Sequence, residues 1–166
     1  MFPVKLGYEE AVRRIRLLLD NGHDAEAFLA SMFTFEKTLY RTLRLLVISA
    51  GFPSNQADRL MNYFRGIENI KQIWPCFDPR NKPLSAFLIP STLETIKNAQ
   101  EKRNNLVHGK KVYKLSVYRD MSIDVLNALD DVRRSFETRY GSDGWSPIKK
   151  RIKNALHTDP RVRVTT

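Results

Sequence analysis

One cysteine, Cys76, stands in a chain of 166 residues, so no disulfide can close within it. Cysteines and histidines never gather at the spacing of a zinc site, and no metal or cofactor is expected. Long apolar runs are missing too. A stretch such as Leu45 to Ile48 covers four residues, against the roughly 20 that a bilayer-spanning helix needs. The opening residues lack the apolar core of a signal peptide, so the expected compartment is the cytoplasm, with no membrane partner. There is no internal repeat and no low-complexity tract. P-loops, dinucleotide fingerprints and serine-hydrolase elbows are absent as well, which removes the commonest nucleotide-binding and hydrolytic classes.

What is present is charge of one sign. Twenty-eight Lys and Arg outnumber eighteen Asp and Glu, giving a net charge of +10. Such an excess raises the local concentration of polyanions and speeds their encounter. Hydrophobic residues make up 42%, enough for a packed core in one domain of this length and too many for a disordered chain.

The apolar pattern is helical nearly throughout. Val12, Ile15 and Leu19 mark a helix over Tyr8 to Asp20, closed by Asn21 and Gly22. Phe28, Met32, Phe35, Leu39, Leu43 and Leu46 then follow at spacings of three and four, the stripe of a long central helix from Asp24 to Ala50. Phe33, Tyr40 and Val47 are expected to broaden that stripe, and Gly51 and Pro53 to stop it. Shorter helices are expected from Ser54 to Phe64 and from Gly66 to Trp74. A loop punctuated by Pro75, Pro79, Pro83 and Pro90 follows. Ser91 to Glu94 reads as a capping box opening a helix that ends near Val107. Met121, Val125, Leu129, Val132, Phe136 and Tyr140 define a last core helix beginning between Ser116 and Ser122.

The expected fold class is therefore all-α: a bundle of about four principal helices with a proline-rich excursion, over residues 1–140. Residues 141–166 read as a linker, Gly141–Gly144, and a basic C-terminal segment with Lys149, Lys150, Arg151, Lys153, Arg161 and Arg163. Pro147 suits the first position of a short helix there.

Chemistry concentrates in Arg103-Asn104-Asn105-Leu106-Val107-His108-Gly109. On a helical wheel Leu93, Ile96, Ala99, Leu106 and Val107 share one arc, and Arg103 falls near its middle. A guanidinium there needs a carboxylate partner, a route to solvent, or an anionic ligand. His108 lies five residues on, about 140° round an ideal helix, so the two side chains share no face unless the chain turns back at Gly109 or a second copy contributes its own pair.

The pattern Arg103-Asn104-x-x-x-His108 resembles the signature of the HEPN superfamily: an arginine, usually a polar residue, then a histidine after four to six intervening positions. Its place at the end of the penultimate core helix fits that family's helical domain over roughly residues 8 to 140. The resemblance implies a metal-independent endoribonuclease of toxin–antitoxin or defence type, acting as a homodimer whose motifs line one cleft. Two His108 imidazoles would serve as base and acid, which suits a group titrating near neutrality. Arg103 would grip the phosphoryl oxygens through two parallel hydrogen bonds, and Asn104 would orient the imidazole or bind a phosphate oxygen. Products would end in 2′,3′-cyclic phosphate. An inhibitory antitoxin or a regulatory partner is a further implication. Family toxins silenced by modification carry a tyrosine two residues after the histidine; Lys110 stands there in this chain.

Other residues add to this reading. Glu36 falls within the broad apolar face of the long helix, where it would pair with Arg103, orient His108, or reach solvent. Lys110, Lys111 and Lys114 follow the motif and would steer RNA, or form a solvated loop. Tyr113 and Tyr118, interleaved with that charge, would stack on unpaired bases, or Tyr113 would be an ordinary loop aromatic. His23, Trp74, Cys76 and His157 read as structural. Two further readings stay open: a non-catalytic basic module binding RNA or nucleotides, and a regulatory protein-interaction domain.

Overall fold

The computed structural model describes residues 7–146. The basic segment after Gly141–Gly144, with the helix expected at Pro147, lies outside the described residues. Those described form six α-helices, one 3-10 turn and no strand: α1 (Tyr8–Asp20), α2 (Asp24–Ser49), α3 (Ser54–Met61), α4 (Ile67–Phe77), the turn Leu84–Ala86, α5 (Pro90–Val107) and α6 (Leu115–Tyr140). They sort into two compact units. One takes α1, α2 as far as Lys37, α5 with its preceding Ile89, and α6 as far as Val132. The other takes Thr38–Leu88 and, among the described residues, 133–146.

In the first unit Ile15 and Leu19 of α1, Ala27 of α2 and Leu126 of α6 form a buried cluster, flanked by Val12, Leu18 and Ala30. Polar ties fix the helix ends around it. Tyr8 donates to Asp130 Oδ1 at 2.8 Å. Arg119 donates to the Leu19 carbonyl at 2.8 Å and to Asp24 Oδ1 at 3.3 Å, so one guanidinium closes the end of α1 and the start of α2. Thr92 of α5 donates to Asp131 of α6 at 3.3 Å.

The second unit is organised by a carboxylate. Asp78, fully buried, accepts five hydrogen bonds: two from Arg139, one from the Tyr140 hydroxyl at 2.6 Å, and one each from the backbone of Arg80 and Lys82. The Trp74 indole donates to Tyr140 at 3.0 Å and stacks on Phe136 with ring centroids 5.3 Å apart. Every polar atom of this buried chain therefore has a partner, which is what makes its burial tolerable.

Several expectations are corrected. Phe33 is 64% exposed rather than part of the core stripe. On an ideal helix it lies about 120° from the middle of the stripe, beyond the arc that packing covers. The capping box does not form: α5 starts at Pro90, with Ile89 in the cap position and no side-chain cap bond. Proline is preset for the first helical position, and this places Ser91 inside the helix, where its backbone can no longer serve as a cap. Pro75 lies inside α4, whose last turn is kept by buried Phe77 packed edge-on against Phe52.

Gly141–Gly144 differs most from expectation. Ser142, Asp143 and Gly144 are buried, Asp143 is ion-paired with Arg133, and the Trp145 indole donates to Thr38 at 2.8 Å. Arg41 donates to the Gly144 carbonyl at 2.7 Å and lies over the Trp145 ring. Gly144 has φ +82°, and a Cβ there would strike the Thr42 side chain. Gly144→Ala should thus combine left-handed strain with overpacking and cost about 2 kcal/mol, read as a lowered denaturant midpoint at unchanged slope.

Candidate functional site

The motif occupies the end of α5, in the first unit. Ile96 and Ala99 are buried on its inner side, and Arg103, one turn further on, is half-buried. Its guanidinium donates to Asn104 Oδ1 at 3.2 Å. Among the described residues no carboxylate lies within ion-pair distance of it. Elsewhere Arg13, Arg44, Arg119, Arg133 and Arg139 each meet an aspartate or glutamate. Glu36 is half-buried on α2 and neither pairs with Arg103 nor hydrogen-bonds to His108.

The helix closes by a Schellman arrangement. Gly109, at φ +62°, donates to the Leu106 carbonyl at 3.2 Å, and Lys110 to the Asn105 carbonyl at 2.9 Å. His108 is the C-cap, with φ −90° and ψ 6°, still close to helical. The turn comes only after it, so the imidazole stays on a different side of the helix end from Arg103, and no hydrogen bond joins the two. His108 is exposed, and among the described residues its ring has no hydrogen-bond partner.

The loop that follows is held by Tyr113. Its hydroxyl accepts from Asn105 Nδ2 at 3.3 Å, and its backbone N–H donates to the Tyr118 hydroxyl at 3.1 Å. Tyr118 is a core residue, 1% exposed and stacked on Phe28 at 5.7 Å, so it offers no face to a base. Tyr113, packed edge-on against Tyr118 at 6.1 Å, is half-buried. Two ammonium groups lie over its ring: Lys102 at 5.3 Å and Lys111 at 4.9 Å from the centroid. Lys110 and Lys114 are exposed.

Residues 102–114 hold five basic side chains and no acidic one. None of the five is ion-paired among the described residues. Sequence reading missed Lys102 and Asn105 as members of this site. The available signal was that acid-free run, which begins one residue before Arg103. No group of three or more His, Cys, Asp or Glu among the described residues is placed to hold a metal ion. No described helix is long and apolar enough to cross a membrane.

Comparison with protein-family models, with curated proteins and with solved structures finds no match to this chain. A helix end presents a guanidinium free of carboxylates, an amide that orients it, an unpartnered imidazole and a cationic loop. The guanidinium and the cationic loop suit an anion, and the imidazole, on another side of the helix end, suits proton transfer.

Proposed function

We propose that this protein is a metal-independent endoribonuclease of toxin or defence type, belonging with the HEPN superfamily and acting as a homodimer. The observation that carries the reading is the half-buried Arg103 without a carboxylate, at the same helix end as the unpartnered His108. A charge kept partly buried and unpaired is costly unless an anion completes it. The anion proposed is the scissile phosphate of RNA.

In this reading one His108 takes the proton of the 2′-hydroxyl, whose oxygen attacks the adjacent phosphorus. The P–O5′ bond breaks, and the second copy's imidazole protonates the departing 5′-oxygen. A 2′,3′-cyclic phosphate and a 5′-hydroxyl remain. Arg103 stabilises the charge that builds on the phosphorane oxygens, and Asn104 holds the guanidinium plane. Because His108 and Arg103 point to different sides of one helix end, two such ends facing each other would complete the site. Val107, Val112 and Leu115, each more than half exposed around the motif, suit contact with a second copy. An antitoxin or other regulator would act by covering this face.

The test is incubation of total RNA with purified protein in excess chelator. Wild type should fragment the RNA while His108→Ala leaves it intact. Intact RNA with wild type, alongside salt-sensitive binding, would favour the second reading, a non-catalytic RNA-binding module built on the same five unpaired cations.

A further inference from the structure

The excess of positive charge does not sit in the unit that carries the motif. Among the described residues the first unit holds eleven Lys and Arg against twelve Asp and Glu, whereas the second holds ten against five. A polyanion responds to the summed field of a surface, so the second unit is the better placed to attract one. Four of its five acids are already held by a base of the same unit: Asp58 by Arg44, Glu68 by Lys71, Asp78 by Arg139 and Asp143 by Arg133. Arg59, Arg65, Arg80 and Lys82 remain exposed, and none of them meets a carboxylate among the described residues.

Two of these cations flank the most exposed aromatic ring among the described residues. Beyond the end of α3, Asn62, Tyr63 and Phe64 donate in turn to the carbonyls of Arg59, Leu60 and Met61, and the chain then turns at Gly66 into α4. Met61 and Ile67, both buried, pin the two sides of this corner. Tyr63 between them is 80% exposed, and no hydrogen bond, ring or cation touches its side chain among the described residues. The ring is thus left out of the packing that holds the corner. Arg59 lies one turn before it, and Arg65, two residues after it, donates to the Asn62 side-chain oxygen at 3.4 Å.

We infer that Arg59, Tyr63 and Arg65 form an RNA-docking site in the second unit, built without any residue of the Arg103–His108 motif. A guanidinium free of carboxylates takes a phosphate through two parallel hydrogen bonds, and an exposed ring stacks on an unpaired base. A lipid surface fits less well, because the ring is a single apolar group with Asn62 and Arg65 exposed beside it. The choice of RNA rests on the ribonuclease reading, to which this site adds a hold on the strand that takes no part in bond breaking.

Binding is read apart from cleavage in the His108→Ala protein. Affinity for a labelled, unstructured oligoribonucleotide is followed across a salt series. Arg59→Gln with Arg65→Gln should weaken binding about tenfold and flatten the log–log salt slope by about 1.4, the share of two phosphate contacts on a single strand. Tyr63→Ser should weaken it about tenfold at an unchanged slope, because stacking releases no counterions, and Tyr63→Phe should bind as its parent does. Arg16→Gln with Lys97→Gln, at two exposed cations of the first unit, removes the same charge and should change neither readout. All three positions of the site are exposed, so thermal midpoints should hold steady. The docking site is overturned if the arginine pair moves the slope no more than the control pair, or if Tyr63→Ser binds as tightly as its parent. It is also overturned if the three substitutions release the protein from phosphatidylserine vesicles while RNA affinity stands unmoved, the behaviour of a lipid-binding corner. Protein that loses RNA in the expected way but, with His108 restored, never cuts it would defeat the nuclease reading alone. Cutting that depends on His108, beside binding that ignores the corner, would defeat the docking site alone.

Discussion

His108→Ala and Arg103→Ala are each expected to lower RNA cleavage by about a thousandfold or more, with helix content and thermal midpoint unchanged. Loss of a positioned acid or base costs about 10²–10⁴, and loss of a charge-stabilising donor about 10²–10³. The His108 side chain is exposed and makes no hydrogen bond among the described residues, so removing it leaves no partner stranded. Arg103 gives up one bond, to Asn104. Arg103→Lys is the sharper probe: it keeps the charge and loses the fork that binds two phosphoryl oxygens, and should recover little activity. Single-turnover rates on a defined oligoribonucleotide, beside circular dichroism melts of each variant, read both halves of this expectation.

Asp78→Ala is expected to be the most destabilising single change in the second unit, at about 3–5 kcal/mol by denaturant unfolding. It strands the Arg139 guanidinium, the Tyr140 hydroxyl and two backbone N–H groups together. Acid should act on the same group. Burial alone would raise the Asp78 carboxyl, but hydrogen bonds from Arg139, Tyr140 and the backbone of Lys82 and Arg80 outweigh it and hold the pKa at about 2. Asp143 is likewise held at about 2, by Arg133 and the backbone of Ser146 and Trp145 against the effect of burial. Both pKa values lie below the ordinary value of about 4. Each carboxylate therefore contributes about 2 kcal/mol that is present above pH 4 and lost as pH falls toward 2. Asp78→Asn should flatten stability against pH in that window, because its amide no longer titrates.

Periodicity made the main helices legible. The six residues of the α2 stripe are all buried, and α1 has the expected bounds, because burial of one face is a local rule repeated every turn. Features set by distant partners were not legible. Asp78 and Arg139 are 61 residues apart, and nothing in the local sequence of either announces the other. Gly141 to Gly144 has linker composition, yet Asp143 finds Arg133 and Gly144 fits against Thr42, both of which only tertiary packing decides. Local signals could also compete: Pro90 and Ser91 each mark a helix start, and proline took the first helical position. At the site, Arg103, Asn104 and His108 were legible as a motif, and the contacts of Lys102 and Lys111 with the Tyr113 ring were not, since they depend on how the loop after Gly109 folds back.

The most direct measurement uses one oligoribonucleotide in two forms, in excess chelator: fully ribose, and with the 2′-hydroxyl replaced by hydrogen at the cleavage position. Wild-type protein should cut the first, leaving a 2′,3′-cyclic phosphate and a 5′-hydroxyl, and should leave that position uncut in the second. Equal cutting of both forms, products carrying a 5′-phosphate, or cleavage that begins only when a divalent ion is added would contradict catalysis by the Arg103 and His108 side chains.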